Sequence, residues 1–366
     1  MALMILGTKG GVYLLKSDAG RTKWTQGGPF LKGQAVGGVA IDNRNGVTLL
    51  AGADIPTPSF PPSPRKAGIF RSEDLGQTWT PSTPMRIVKV WTIEPAPAHS
   101  PKVVYAGCEP ASVFRSADGG ATWTENEALS AQRAAEKWPP GGGGLCLNSI
   151  IFDETNPMRM WTSVSVGGVR YTSDGGKSWR LVQQGMVEDC PDRGPEEKPE
   201  AHAWIHGCIH HLAAPRGDGR RIYLKNHCGT YRTDDGGGQW VDISAGLPWR
   251  GGFALAADAH NADRVYVIPA QHGKEGFNTP RVNDALRVFR SDDAGRTFTG
   301  HGDGLPTTGE HHIYRDAMTT DGLKPSGIYF GTRAGTVYAS TSDGTGWQQI
   351  AGGLPAVMSV RCVEVA

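Results

Sequence analysis

Residues 116–123 read SADGGATW, and this octapeptide decides the fold because it recurs through the chain. The repeat turn, as we name it, follows the pattern Ser/Thr-x-Asp-x-Gly-x-x-Trp or Phe. Four further copies match the pattern: residues 72–79, 172–179, 233–240 and 291–298. Two imperfect copies place Trp24 one residue late after Asp18 and Trp347 one residue early after Asp343. Successive aspartates lie 44 to 61 residues apart, a period typical of repeated β units.

The residue types of the repeat turn predict a structural role. Asp and Ser/Thr side chains accept hydrogen bonds from the backbone N–H groups of a tight turn. Glycine supplies the positive φ that such a turn requires. The aromatic residue then begins the next strand and can bury a large apolar area between neighbouring sheets. We therefore interpret the aspartates as turn-forming residues rather than as calcium ligands or catalytic acids.

The repeat turn resembles the Asp-box, or BNR repeat, of sialidases, sortilin-like receptors and photosystem II assembly propellers. Its five clean and two imperfect copies extend over nearly the whole chain. The resemblance implies a β-propeller. It implies no single activity, because these proteins perform different functions on one scaffold.

Each repeat divides into four short strands separated by turn signals. In one repeat the predicted strands are 90–94, 103–107, 112–116 and 122–126. Analogous quartets begin near Val36, Leu147, Ile209, Phe253 and Ile313. The N-terminus supplies three strands and the C-terminus supplies one: 4–7, 11–17, 23–26 and 358–365. These four complete a seventh blade and close the ring. The prediction is an all-β, seven-bladed β-propeller that forms a single domain over residues 1–366.

The composition excludes several classes of protein. The chain of 366 residues has 37 Lys and Arg against 36 Asp and Glu, a balance that argues against a nucleic-acid partner. No apolar run approaches 18 residues, so no membrane partner is expected. Residues 1–15 lack a basic region before their apolar stretch, unlike a secretory signal. We expect a cytoplasmic protein whose six cysteines are thiols or ligands rather than disulfides.

The long irregular segments all fall on one face of the predicted ring. In a propeller blade, the loops between the second and third strands and the connections to the next blade share the face opposite the repeat turns. The segments of this kind are 54–67, 125–144, 183–206, 271–285 and 301–312. Long loops on a rigid scaffold often carry function. We therefore expect the functional site on this face, at the mouth of the central channel.

Histidines cluster where two connections enter innermost strands on that face. One group contains His206, His210, His211 and His227, and the other is the sequence Glu310-His311-His312. Imidazoles and carboxylates from several blades could hold a divalent metal such as Zn, Mn, Fe or Cu. Adjacent strand residues point to opposite faces, so only one histidine of each adjacent pair can reach a shared point. The predicted ligand set is therefore His210 or His211, His227, and His311 or His312.

Four residues are the candidate catalytic groups: Glu310, Tyr314, Arg315 and His206. Glu310 could act as a general base or as a fourth metal ligand. The glycines at 141–144 are not followed by a helix signal or by Lys-Ser/Thr, so no nucleotide cofactor is expected. The first hypothesis is a hydrolase or lyase that acts on a small polar molecule or a carbohydrate.

Two alternatives stay open at the level of sequence. A non-enzymatic binding or assembly propeller would follow from the resemblance to the photosystem assembly proteins. A sialidase-type glycosidase would require an Arg-Ile-Pro motif near the N-terminus, and the nearest match is Arg86-Ile87-Val88, at least one blade later. The sequence does not predict an oligomeric state.

Overall fold

The computed structural model describes residues 1–53, 68–141, 143–186, 208–271 and 285–365. These residues form seven four-stranded antiparallel sheets, which confirms the predicted all-β, seven-bladed propeller. The innermost strands of successive blades contact one another around a complete ring. Hence each blade packs against two neighbours, and the ring encloses a central channel.

The strands are given by blade, each from the innermost strand outward. The first four blades are β28 (Val357–Glu364), β1 (Ala2–Thr8), β2 (Gly11–Ser17), β3 (Trp24–Phe30); β4 (Val36–Asp42), β5 (Thr48–Ala53), β6 (Gly68–Ser72), β7 (Thr80–Pro81); β8 (Lys89–Pro95), β9 (Val104–Glu109), β10 (Ser112–Ser116), β11 (Thr124–Glu125); and β12 (Leu147–Phe152), β13 (Met160–Val164), β14 (Gly168–Thr172), β15 (Arg180–Leu181). The other three are β16 (Ile209–Ala213), β17 (Ile222–Asn226), β18 (Thr230–Thr233), β19 (Trp240–Asp242); β20 (Gly252–Ala257), β21 (Val265–Pro269), β22 (Val288–Ser291), β23 (Thr299–His301); and β24 (Met318–Thr320), β25 (Ile328–Gly331), β26 (Val337–Ser340), β27 (Gln348–Ala351).

The two ends of the chain close the ring, as the sequence predicts. The C-terminal strand β28 is innermost in its blade and pairs antiparallel with β1, with Leu3 opposite Val363. β1 is buried throughout, and half of the residues of β28 are buried. Because the first and last strands share one sheet, separating them would break this ladder of hydrogen bonds.

The repeat turns are held together by their own side chains. At the copy centred on Asp118, the carboxylate accepts hydrogen bonds from the Thr122 backbone N–H at 2.9 Å and from the Thr122 hydroxyl at 2.6 Å. The Ser116 hydroxyl donates to the same carboxylate at 2.7 Å and accepts from the Gly120 N–H at 2.8 Å. Burial opposes ionisation, but these hydrogen bonds lower the pKa of Asp118 to about 2. Gly120 has a φ of 92°, which a side chain would strain.

The aromatic residue that ends a repeat turn packs between two blades. Trp240 is 1% exposed, and its indole N–H donates to the Val182 carbonyl of the preceding blade at 2.9 Å. A second Trp, Trp161 in β13, also bonds to a neighbouring blade: its indole N–H donates to the Gly236 carbonyl of the following blade at 2.7 Å. The core therefore consists of apolar clusters within and between the sheets, tied by indole hydrogen bonds.

Two local features differ from the sequence prediction. The segment expected to be irregular after β11 contains the helix α1 (Glu127–Glu136), which Asn126 caps by accepting from the Leu129 N–H and which buries Leu129. The last blade was expected to begin near Ile313, but β24 begins at Met318.

No helix in the described ranges has both the length and the apolar character to cross a membrane.

Candidate functional site at the channel mouth

The mouth face is the side of the ring opposite the repeat turns. It carries the connections between blades and the loops between the second and third strands of each blade. Cys208 ends the connection before β16, and His210 is the second residue of that innermost strand. His227 lies in the loop between β17 and β18. All three residues are therefore placed on the mouth face by one blade.

The side chains of Cys208, His210 and His227 converge, and we call them the ligand cluster. One potential ligand atom from each lies within 4.8 Å of the other two, and all three residues are buried. The His210 and His227 rings are 4.2 Å apart between centroids and meet edge to face. Within the described ranges, this is the one group of three such residues with metal-binding spacing.

Backbone groups fix the orientation of the ligand cluster. The His210 Nδ1 lies 2.6 Å from the Gly252 carbonyl oxygen, which can only accept, so Nδ1 is the donor. In the neutral ring Nε2 then carries the lone pair, which is the tautomer usual for histidines that bind a metal through Nε2. The Asn226 side chain accepts from the backbone N–H groups of Cys228 at 2.8 Å and Gly229 at 2.7 Å. These bonds shape the turn that carries His227.

The Cys208 thiol is protonated in the absence of a cation. Burial raises its pKa to about 12, although the nearby Arg315 charge lowers it and Cys146 raises it further. A thiolate would therefore form here only with a bound cation to stabilise it. One sulfur and two imidazole nitrogens suit zinc and related borderline metals, and three protein ligands leave a position open for water or substrate.

Arg315 lies beside the ligand cluster between two aromatic rings. Its guanidinium carbon is 4.5 Å from the Phe253 ring centroid and 5.4 Å from that of Trp91. The Phe253 ring also contacts His210, with 4.5 Å between centroids. Trp91 is oriented by its indole N–H, which donates to Glu109 at 3.2 Å. One aromatic ring thus joins the guanidinium to the ligand cluster.

A small cavity opens beside Arg315. It is lined by residues from several blades, among them Lys89, Trp91, Asn148 and Tyr314. Its volume of about 20 Å³ is enough for roughly one or two water molecules. The described residues alone therefore form a point of contact for a small group rather than an enclosed sugar-binding cleft.

Deeper in the channel, Arg361 pairs with two carboxylates. Its Nη2 lies 2.8 Å from Asp316 and also contacts Glu94. Burial raises the pKa of Asp316 to about 7, and the Glu94 charge adds to this effect while Arg361 opposes it. His211 lines the same cavity of about 200 Å³, and its Nδ1 lies 3.2 Å from the Ser149 hydroxyl. Burial, then Arg361 and Arg315, lower the pKa of His211 to about 3, so this ring is neutral.

The structure brings together only part of the predicted site. His210 and His227 join the ligand cluster, whereas His211 points into the channel. His311 and His312 lie in the connection ahead of β24: His311 Nε2 is 3.2 Å from the Thr308 carbonyl, and His312 Nε2 contacts Glu310. The predicted residues that line the small cavity are Tyr314 and Arg315. His206 lies outside the described residues.

The sequence left Cys208 open as a thiol or a ligand, and the predicted ligand set did not include it. The available signal is its position two residues before His210, at the entry to β16, which keeps the two residues close in space. Phe253 and Lys89 were also not predicted as site residues. They belong to the innermost strands of two other blades, so no local pattern connects them to Arg315.

Comparisons with known proteins identify propellers. No protein-family model matches the sequence, and neither does any curated protein. Among solved structures, YCF48 from Cyanidioschyzon merolae has 11% identity and a TM-score of 0.53, over 86% of this chain and 84% of that chain; YCF48 has also been solved bound to D1 peptide. An ancestral GH74 enzyme has 14% identity and a TM-score of 0.59 over 99% of this chain but only 40% of its own. A proposed 6-phosphogluconolactonase from Bacteroides fragilis has 10% identity and a TM-score of 0.57, over 99% and 98% of the two chains. At these identities the likeness shows the propeller fold alone.

Proposed function

We propose that the protein is a metal-dependent hydrolase or lyase whose ligand cluster binds one divalent transition metal at the channel mouth. The observation that carries the proposal is the convergence of three buried donor atoms, with the His210 Nδ1 already committed to the Gly252 carbonyl. A bound metal would polarise a substrate carbonyl or lower the pKa of a bound water. The substrate would be a small polar molecule or a carbohydrate that reaches the mouth face.

The other candidate site residues have distinct proposed roles. Arg315 would bind and orient the substrate beside the metal, with Phe253 and Trp91 holding its plane. Glu310 would serve as the general base, with His312 in contact to orient it. Half of the Glu310 side chain is exposed, so it can exchange protons with solvent. Tyr314 would contribute a hydroxyl to the wall of the small cavity.

A binding platform without turnover is the second candidate. In the part of the chain that the structure describes, the small cavity at the mouth favours it, because about 20 Å³ holds a single functional group. Such a ligand could be a peptide, as in the complex of YCF48 with D1 peptide. This candidate requires no metal.

The first test is metal binding by the intact protein. Chelator-treated protein is titrated with Zn²⁺ and with Co²⁺, and the Co²⁺ complex is examined for a thiolate charge-transfer band. We expect one metal per chain, and loss of tight binding and of the band in Cys208→Ser and His227→Gln. The matched controls are Cys228→Ser and His211→Gln, which change neighbouring buried residues of the same types. Thermal unfolding of every variant confirms that it folds.

Two outcomes would refute the metal site. One is wild-type protein that retains no metal at equimolar Zn²⁺. The other is binding that the control variants weaken as much as the cluster variants do. Turnover is then tested with ester, phosphate and glycoside substrates, with the Zn²⁺-loaded and chelator-treated proteins compared directly. Metal binding without turnover on any of these substrates would favour the binding platform.

A further inference from the structure

We propose that Arg315 is an anion-binding residue and that the natural ligand carries a carboxylate or a phosphate group that its guanidinium engages at the channel mouth. This inference names the substrate class of the proposed function and rests on that function for turnover. Anion binding itself requires only the residues around Arg315, so it can be tested without metal.

The main observation is that the Arg315 charge has no counterpart among the described residues. In the part of the chain that the structure describes, its guanidinium makes no hydrogen bond or ion pair, and its Nε is buried without a partner. Other half-buried or buried arginines are compensated: Arg170 pairs with Glu136 at 2.8 Å, and Arg21 pairs with Asp321 at 2.7 Å. A half-buried guanidinium with five donors and no acceptor is costly unless a ligand supplies one.

The aromatic rings fix which part of Arg315 a ligand can reach. Phe253 and Trp91 lie against the guanidinium at 4.5 and 5.4 Å, contacts that restrict its orientation and leave the N–H edges for hydrogen bonds. One edge faces Gly143, where an added Cβ would lie 3.5 Å from both Nη1 and Nη2. Glycine at this position leaves the donor edge uncovered. A planar guanidinium edge binds a carboxylate or phosphate through two parallel hydrogen bonds.

The charges nearby favour an anion. The Lys89 ammonium lies 4.1 Å from the Trp91 ring centroid and lines the same small cavity. Lys9 belongs to the same basic region. Burial lowers the pKa of its ammonium, and the nearby charges of Arg333 and Lys89 lower it further. Two carboxylates of the described mouth residues have other partners: Glu109 accepts from Trp91, and Asp316 pairs with Arg361. Among the described residues, the mouth therefore combines several cations with a guanidinium that no carboxylate engages.

The position of Arg315 relates the anion to the proposed metal. Phe253 contacts both the guanidinium and the His210 ring, each at 4.5 Å. An anionic group on Arg315 would thus stand one aromatic ring away from the ligand cluster. A substrate held there by its charged end would place the adjacent atoms toward the metal, which is how a charged clamp promotes reaction.

The experiment titrates chelator-treated protein at low salt with inorganic phosphate and with acetate, monitored by calorimetry. We expect one site per chain, weakened about 10- to 100-fold in Arg315→Gln, in keeping with the loss of charge-assisted hydrogen bonds. Arg315→Lys keeps the charge but not the two-pronged edge, so it should also bind more weakly. Gly143→Leu should block the site without changing Arg315. The matched control is Arg180→Gln. Arg180 lies on the outer strand β15, and its guanidinium carbon is 4.8 Å from the centroid of the Tyr171 ring, so it also stacks on an aromatic side chain.

Each outcome decides the inference. Preference for phosphate or for acetate identifies the anion class, and either supports the site if Arg315→Gln and Gly143→Leu weaken binding while Arg180→Gln does not. Absence of binding to both anions overturns the inference. Binding that survives both Arg315→Gln and Gly143→Leu also overturns it. Because the titration contains no metal, an anion site found in a protein that binds no metal would refute only the metal-dependent function.

Discussion

Replacement of Asp316 by Asn should change how stability depends on pH. Asp316 is buried in the channel and shares the single charge of Arg361 with Glu94. Burial, reinforced by the Glu94 charge, raises the pKa of Asp316 from 3.8 to about 7 in the folded protein. A raised pKa means that the folded state binds the proton more tightly than the unfolded state does. The stability it contributes is present below pH 3.8 and is lost as the pH rises toward 7.

The size of this effect follows from the pKa difference. About three pH units correspond to roughly 4 kcal/mol of unfolding free energy, an upper bound because Glu94 can accept part of the proton. Asn resembles the protonated carboxyl and does not titrate. We therefore expect Asp316→Asn to match the wild type near pH 4 and to be more stable by up to a few kcal/mol near pH 8.

Urea unfolding of both proteins at several pH values measures the difference directly. The two proteins must be compared at each pH because other groups titrate in both of them. Burial lowers the pKa of His211 to about 3, for example, which makes the stability of both proteins rise with pH between about 3 and 6.5. Glu94→Gln is the matched control, since loss of its charge should lower the pKa of Asp316 and reduce the gain from Asp316→Asn. A difference that stays constant within about 1 kcal/mol from pH 4 to 8 would refute the reasoning.

Three further changes test the scaffold. Burial lowers the pKa of Lys225 to about 7, so the stability of Lys225→Met relative to the wild type should fall between pH 7 and 10, as measured by urea unfolding of both proteins. Asp118→Ala removes the hydrogen bonds inside a repeat turn and should reduce the unfolding free energy by about 1 to 3 kcal/mol, measured by thermal denaturation. Trp240→Ala should reduce it by about 3 to 5 kcal/mol, and a loss below about 1 kcal/mol would contradict its role between blades.

The fold was predictable because its signals are local and repeated. A turn motif such as residues 116–123 is specified by its own side chains, as the bonds from Ser116 and Thr122 to Asp118 show. The ring closure was predictable by counting strands, since three at one end and one at the other make a complete blade. The start of β24 was predicted too early. Asp316 instead makes an isolated bridge to Ser359 in β28, a contact between blades that no local pattern encodes.

The candidate site was predictable only where it lies within one blade. His210 lies in β16, and His227 directly follows β17, the strand that pairs with β16, so their approach follows from the pairing of these two strands. The choice between His210 and His211 depends on a register irregularity between Ile209 and His211, which the sequence does not reveal. The surroundings of Arg315 depend on the diameter of the ring. Trp91 and Phe253 reach it from two other blades, and their separation is a property of the closed structure.

The two proposed sites differ in how many blades hold their residues in place. The ligand cluster is held by the pairing of β16 with β17 and by one bond to Gly252 of the next blade. The anion site instead needs Trp91, Phe253 and the connection that carries Arg315 to keep their spacing across the mouth. Metal affinity should therefore withstand small changes in how blades pack, whereas anion affinity should not. Packing variants that leave Zn²⁺ binding intact but weaken phosphate or acetate binding would locate substrate selection in the ring geometry rather than in the metal.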